Sequence, residues 1–170
     1  MSVGLPKRID AKRLAASDGL LEGKTTCQPA GRLAGLIIAC EGDIDVSLQF
    51  GRGSMGELQV SGQIRGVVSM DCQRCLEPVS IALDCQVALV LVESEEAASR
   101  LPDSVDSLVS PDGTVDLLEL VEDELILALP IVPRHDSCKA AYEPGELTDS
   151  AATEESVNEK NPFAVLKDLK

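Results

Sequence analysis

Residues 58–92 read LQVSGQIRGVVSMDCQRCLEPVSIALDCQVALVLV, and this stretch decides the fold. Apolar side chains recur at every second position on both sides of its Cys-Gln-Arg-Cys segment. The same alternation occurs in the preceding residues 44–50. A period of two over such lengths predicts strands with one face on a core, so we expect an antiparallel sheet over residues 44–92.

A helix is the next element that the sequence defines. Asp116 and Glu119 match a capping box, which predicts a helix that begins at Asp116. Pro130 disfavours helical geometry in the residue before it, so the helix should end near Ala128. A weaker strand fits residues 105–109. We therefore predict an α+β fold in which a mainly antiparallel sheet, drawn from residues 35–110, packs against one long helix.

Composition divides the chain into four parts. The N-terminal part is mildly basic, and Asp10 can cap a short helix over residues 11–16. A stretch with six acids and few large apolar residues predicts a flexible acidic linker. The terminal NPFAVLKDLK predicts a second short helix, too short to be stable unless it docks on this protein or on a partner. The predicted parts are a basic segment at 1–24, an α+β core domain at 25–138, the linker at 139–160 and a docking helix at 161–170.

The charge balance limits the classes of function. The chain carries 15 basic and 29 acidic residues, a net charge of −14, and only 2% of its residues are aromatic. Proteins that bind nucleic acid broadly neutralise phosphates with basic residues or stack bases on aromatic ones. The composition therefore favours a basic protein partner over a broad nucleic-acid interface.

The sequence also bears on cellular compartment. The N-terminus has no apolar stretch long enough for a signal peptide, and no apolar run is long enough to span a bilayer. We therefore expect a cytoplasmic protein without a membrane partner. In that reducing compartment the six cysteines are expected to be mostly thiols or metal ligands and not disulfides.

Residues 51–56 match the pattern G-x-G-x-x-G of dinucleotide-binding loops. That use requires a helix directly after the loop, with its N-terminus at the pyrophosphate. The residues that follow, ELQVSGQI, have a strand pattern. We therefore interpret the segment as a loop between two antiparallel strands and predict no nucleotide cofactor.

The Cys72–Cys75 segment is the strongest local motif, and three interpretations remain open. A zinc site would join Cys72 and Cys75 to the His-x-x-Cys pair of His135 and Cys138. A redox dithiol would place the first cysteine at a helix N-terminus, which the following proline and strand disfavour. The third possibility is two small apolar residues at a strand end, unrelated to His135 and Cys138. Zinc is the one cofactor that the sequence suggests.

The predicted helix carries several carboxylates. Glu119, Glu122 and Asp123 fall opposite its apolar side, where they form a solvated face or a protein-contact surface. Glu124 falls inside the apolar arc, so its carboxylate either reaches past the edge of the core or forms a buried ion pair with Arg74 or Arg134. No catalytic signature is recognisable in the chain, and we assign no catalytic residue and no enzyme activity.

Three segments together resemble one bacterial family, the large ribosomal RNA subunit accumulation proteins. They are MDCQRCLEPVSIAL (70–83), VDLLELVEDELILALPIVPRHDSC (115–138) and NPFAVLKDLK (161–170). The resemblance implies a role in the synthesis, processing or stability of the large-subunit (23S) rRNA, with no established catalytic residues. Genes of this family often lie beside the gene of a small, basic large-subunit ribosomal protein.

Together these observations give one hypothesis and two alternatives. We expect a non-enzymatic ribosome biogenesis factor that binds a basic ribosomal protein or assembly factor. One alternative is direct rRNA contact through the basic N-terminal segment, and the other is a zinc or redox-sensing module built on Cys72 and Cys75. The expected partner-binding residues are Glu119, Glu122, Asp123, Phe163 and Leu166.

Overall fold

The computed structural model of the chain describes residues 4–28, 30–54 and 56–142. These residues form an α+β structure in which strands outnumber helices, as predicted. In chain order the strands and helices are β1 (Arg8–Asp10), α1 (Ala11–Ala15), β2 (Leu20–Thr25), β3 (Ala39–Cys40), β4 (Ile44–Arg52), β5 (Leu58–Asp71), β6 (Pro78–Val92), α2 (Glu95–Ala98), β7 (Asp106–Val109), β8 (Thr114–Asp116) and α3 (Leu117–Ala128).

The main sheet is built around the β5–β6 hairpin. Its strand order is β2-β4-β5-β6-β7, and β3 also pairs with β5. The β5–β6 ladder runs without interruption from Leu58 opposite Leu91 to Asp71 opposite Pro78. The antiparallel sheet predicted for residues 44–92 is therefore confirmed. The predicted strand near 105–109 is also present as β7, but it pairs with β6 in parallel.

The core lies between one face of this sheet and α3, and α1 adds Ala11 and Ala15 to it. Alternate side chains of β4 and β5 point to that face and are buried, as the period of two predicts. The helix contributes buried residues at the spacing of one helical face. The most deeply buried side chains of this layer are Ile44, Leu48, Phe50, Val60, Ile64, Val68, Leu117, Val121 and Leu125.

The predicted boundaries of α3 are confirmed, but not its description as long. The Asp116 carboxylate accepts hydrogen bonds from the backbone N–H of Leu118 at 3.1 Å and Glu119 at 3.3 Å, which caps the first turn. The helix has 12 residues, an ordinary length for a globular protein. At about 100° per residue, the sequence predicts an apolar face of Leu117, Leu118, Val121, Leu125, Ala128 and Leu129. The observed buried face differs slightly, since Leu120 is buried and Leu118 is 38% exposed.

The N-terminal segment contributes to both sheets. The short helix predicted there is α1, and the Asp10 side chain caps it by accepting from the backbone N–H of Arg13 at 2.9 Å. Strand β2 pairs along β4 at one side of the main sheet. Strand β1 pairs with β8 in a separate two-stranded sheet. The division of the chain at residue 24 remains a prediction.

Two cysteines differ from the expectation of free thiols. Cys27, which lies just after β2, and Cys40 of β3 are joined by a disulfide, with Cα atoms 5.8 Å apart. The other four cysteines are free. Much of the predicted linker, from residue 143, and the whole docking helix at 161–170 lie outside the described residues.

The glycine-rich loop joins β4 to β5, as the strand pattern after it predicts. The backbone N–H of Gly53 donates to the carbonyl of Glu57 at 2.9 Å, which closes the turn between the two strands. A strand and not a helix follows it, so the geometry required for a dinucleotide is absent from this loop. Within the described ranges, no helix is both long and apolar enough to cross a membrane.

Candidate metal centre

The tip of the β5–β6 hairpin carries the first two candidate ligands. Cys72 follows the last residue of β5, and its backbone N–H donates to the carbonyl of Glu77 at 2.9 Å. The carbonyl of Cys72 in turn accepts from the N–H of Leu76 at 2.9 Å. Leu76 has a left-handed backbone with φ of 62°, a conformation that glycine normally supplies in tight turns. This turn brings the Cys72 and Cys75 thiols close together.

The segment after α3 supplies the other two candidate ligands. Pro130 and Pro133 follow the helix, and the chain then runs beside the hairpin tip. The backbone N–H of Gln73 donates to the carbonyl of Pro133 at 2.9 Å. The N–H of Ala141 donates to the carbonyl of Arg74 at 2.8 Å. These two hydrogen bonds hold the His135–Cys138 pair against the hairpin tip.

The structure brings the four predicted ligands together. The ligand atoms of Cys72, Cys75, His135 and Cys138 all lie within 4.8 Å of one another, and the cluster could hold a metal ion. The sulfurs of Cys72 and Cys138 are 3.8 Å apart, and the Cys75 sulfur lies 3.4 Å from His135 Nδ1. Tetrahedral zinc with ordinary bond lengths requires about 3.8 Å between two sulfurs and about 3.6 Å between sulfur and nitrogen.

The electrostatics of the cluster favour a thiolate at Cys72. Burial by itself raises the pKa of this thiol. Hydrogen bonds to the sulfur from the backbone N–H groups of Cys75, His135 and Arg74 outweigh that effect and lower the pKa to about 5. At Cys75, a hydrogen bond from the backbone N–H of Glu77 lowers the pKa of the thiol. Burial and the neighbouring thiols together outweigh this effect, so the pKa of Cys75 is raised. A metal ligand must be deprotonated, so Cys72 is prepared for that role.

Arg74 has a place in this cluster that the sequence did not reveal. Its Nε donates to Cys138 Sγ at 2.8 Å, and its Nη2 donates to the carbonyl of His135 at 3.3 Å. The hydrogen bond to Cys138 raises the pKa of Arg74, which therefore stays cationic. A cation beside three sulfurs offsets the negative charge that thiolates would bring. The position of Arg74 between Cys72 and Cys75 could have indicated a place near the thiols. Nothing in the sequence indicated that its partner would be Cys138.

Of the two interpretations of Glu124, the ion pair with Arg74 or Arg134 does not form within the described part of the chain. Arg74 donates to Cys138 and to the carbonyl of His135, and neither Arg74 nor Arg134 forms an ion pair with Glu124. Glu124 instead lies near other carboxylates. Its partial burial and the charges of Asp106 and Asp123 raise its pKa.

The predicted partner-binding residues are only partly described. Glu119 is exposed on α3, while Glu122 and Asp123 are half-buried. Asp123 forms an ion pair with Arg32, so it is less available than the sequence suggested. Phe163 and Leu166 lie outside the described residues. Glu119 and Glu122 therefore remain the best-defined acidic groups of the predicted surface.

The fold and the site define a class: a small α+β domain in which a Cys-x-x-Cys hairpin tip and a His-x-x-Cys segment converge on a candidate metal centre. Sequence comparison gives the family. Residues 60–170 match the family described as "Large ribosomal RNA subunit accumulation protein YceD". The chain is also 35% identical over 169 residues, 99% of its own length and 97% of the relative's, to the protein of that name from Haemophilus influenzae (strain ATCC 51907 / DSM 11121 / KW20 / Rd).

The chain therefore belongs to the YceD family of large ribosomal RNA subunit accumulation proteins. The matched region includes the β5–β6 hairpin from residue 60, the whole of α3 and all four candidate ligands. No solved structure matches the chain.

Proposed function

We propose that this protein is a non-enzymatic, cytoplasmic factor that promotes accumulation of the large-subunit rRNA by binding a basic ribosomal protein or assembly factor. Family membership supports the link to the rRNA, because the family is named for accumulation and not for a reaction. The observation that carries the mechanism is charge. The chain has a net charge of −14, and α3 presents the exposed Glu119 beside Glu122.

A charge reversal on α3 tests the acidic surface. Full-length protein is recovered from cells at low and high salt, with and without nuclease, and its companions are identified by mass spectrometry. We expect a basic large-subunit protein whose recovery resists nuclease and falls with salt. The purified partner should then lose affinity for the double variant E119K/E122K. The matched control is E95K/E96K, which reverses two exposed charges on α2.

Direct RNA binding is the alternative that would overturn this mechanism. Tight binding of naked large-subunit transcript at physiological salt, without any companion protein, contradicts the proposal. Loss of that binding on changing Lys7, Arg8, Lys12 and Arg13 would assign it to the basic N-terminal segment.

We also propose that Cys72, Cys75, His135 and Cys138 bind a structural zinc ion. Three sulfurs and one imidazole are a donor set typical of structural zinc, and four protein ligands leave no open position for catalysis. Two of the six distances between ligand atoms, 3.8 Å and 3.4 Å, are close to the edges of a zinc tetrahedron. A bound zinc ion would tie the hairpin tip to the segment after α3. The turn between two strands also lacks the helix N-terminus of a thioredoxin-type dithiol.

Metal analysis of the purified full chain tests this site. We expect one zinc ion per chain in the wild type and in the control Cys85→Ser, because Cys85 lies outside the cluster. Cys72→Ser and Cys138→Ser should each lose the metal. A metal-free wild type that forms a reversible disulfide between Cys72 and Cys75 would refute the zinc site and support the redox alternative.

A further inference from the structure

One side of β6 is an open sheet edge. Strand β7 pairs only with Leu89–Val92, so within the described ranges Val79–Ala88 have a neighbour, β5, on one side alone. In an antiparallel ladder, every second residue directs its N–H and C=O away from the partner strand. About half of the ten residues in this run therefore present free hydrogen-bonding groups along one line.

Beyond Pro78, the first residue of β6, this edge lacks the features that normally prevent strand addition. Proteins protect edges with lysine, proline, bulges or short strands. The chain has no lysine between Lys24 and Lys139, and Asp84 is the one charged residue of Val79–Ala88. The ladder with β5 has no bulge. By contrast, β7 is only four residues long, and the Lys24 end of β2 forms a bridge with Gly4.

An acidic groove lies at the end of the open edge. It has a volume of about 560 Å³ and is bounded by β6, β7 and α3. Its apolar lining includes Leu127, which is 80% exposed. Four charged residues also line it. Arg32 and Asp123 form an ion pair with each other. Asp106 and Glu124 form no ion pair with a described basic residue, so two unpaired carboxylates remain in the groove. Burial and neighbouring carboxylates raise the pKa of Glu124, which a cation placed in the groove would reverse.

We propose that the open edge of β6 binds an extended, lysine- or arginine-rich segment of a protein partner, which adds to the sheet as a strand and directs basic side chains at Asp106 and Glu124. This inference rests on the proposed function, because a basic partner is the class proposed there. A second copy of the chain fits the edge less well. Pairing two copies would bring together acidic grooves on two chains that each carry a charge of −14.

Hydrogen exchange of the full-length protein, followed by mass spectrometry, tests strand addition. The probe is a synthetic 12-residue peptide of alternating lysine and valine, of about the length of the open run. The control peptide has proline in place of each valine, which keeps the charge but removes N–H donors and disfavours β pairing. We expect the lysine–valine peptide to slow exchange at Val79–Ala88 at least about tenfold at saturation, and the control peptide to leave it unchanged.

Variants test the role of the groove. The double variant D106N/E124Q should lower the affinity for the lysine–valine peptide about fivefold, as expected for the loss of two partly exposed ion pairs. The control E22Q/D43N removes two exposed acidic charges outside the groove and should leave the affinity unchanged. Equal affinity for both peptides, without slower exchange at Val79–Ala88, would mean that charge alone attracts them and would overturn the proposal.

Two further outcomes separate this inference from the function on which it rests. Exchange at Val79–Ala88 that is slow without peptide, and that becomes slower as the protein concentration rises, would show that a second copy occupies the edge. That result would overturn the proposed occupant. A purified basic partner that depends on Glu119 and Glu122, yet leaves exchange at Val79–Ala88 unchanged, would support the proposed function and refute strand addition.

Discussion

Loss of one metal ligand should remove a large part of the stability of the domain. Cys75 and His135 are 60 positions apart in the sequence, so a zinc ion bound by both closes a long loop. In the chain-entropy description, a cross-link of this span stabilises the folded state by about 4 kcal/mol, because it restricts the unfolded chain. Typical domains have a total stability of about 5–15 kcal/mol. We therefore expect Cys138→Ala to lower the free energy of unfolding by about 4 kcal/mol.

The assay is urea unfolding of the full-length chain followed by circular dichroism. The chain has no tryptophan, and its one tyrosine, Tyr142, is 78% exposed, so fluorescence would report poorly on the core. Wild type with a strong chelator should match Cys138→Ala, and the chelator should have no further effect on the variant. That non-additivity would show that the metal and not the lost side chain carries the stability.

Cys85→Ala is the matched control for this measurement. Cys85 is a buried thiol of β6 outside the cluster, so its loss should cost about 1 kcal/mol through packing and leave the chelator effect intact. A change in stability of less than about 1 kcal/mol for Cys138→Ala would contradict a stabilising zinc cross-link. Chelation that removes a bound metal from the wild type without changing the unfolding midpoint would contradict it as well.

Three further predictions concern the main sheet and α3. Gly62→Ala should lower the free energy of unfolding by at least about 2 kcal/mol, because a Cβ there would overlap the backbone oxygen of Ser47. Thermal unfolding measures this loss, and an unchanged Tm would contradict it. Asp116→Ala should cost about 1 kcal/mol in urea unfolding through loss of the α3 cap, whereas Asp116→Asn should cost less. The raised pKa of Glu124 favours the folded state while the carboxyl is protonated, so this contribution is lost as pH rises from 4.5 through the folded-state pKa. Glu124→Gln should therefore raise Tm at pH 7 but not at pH 4, and the same shift at both would exclude this cause.

The local elements could be predicted because their signals are local. The alternation along β4, β5 and β6 fixes which side chains face the core. Asp116 and Pro130 fix the limits of α3 because capping and the loss of helical geometry before proline act within a few residues. The turn between β4 and β5 followed from the strand pattern after its glycines.

Features that depend on distant segments could not be predicted in the same way. The parallel pairing of β7, the place of β2 beside β4 and the Cys27–Cys40 disulfide all require knowledge of which segments meet. The residue types suggested the four candidate ligands, but their spacing could not show that they converge. The hydrogen bond of Arg74 to Cys138 was missed for this reason, since it joins residues 64 positions apart.

The position of the ligands along the chain has a consequence for synthesis on the ribosome. The hairpin tip with Cys72 and Cys75 emerges early, and the β5–β6 pairing that supports it is local. His135 and Cys138 emerge only after every strand of the main sheet has been made. Because domains fold as their segments become available, the four ligands can meet only around a finished domain. A nascent or truncated chain that ends before His135 would present only Cys72 and Cys75. Tight metal binding would therefore mark the chains whose sheet is complete.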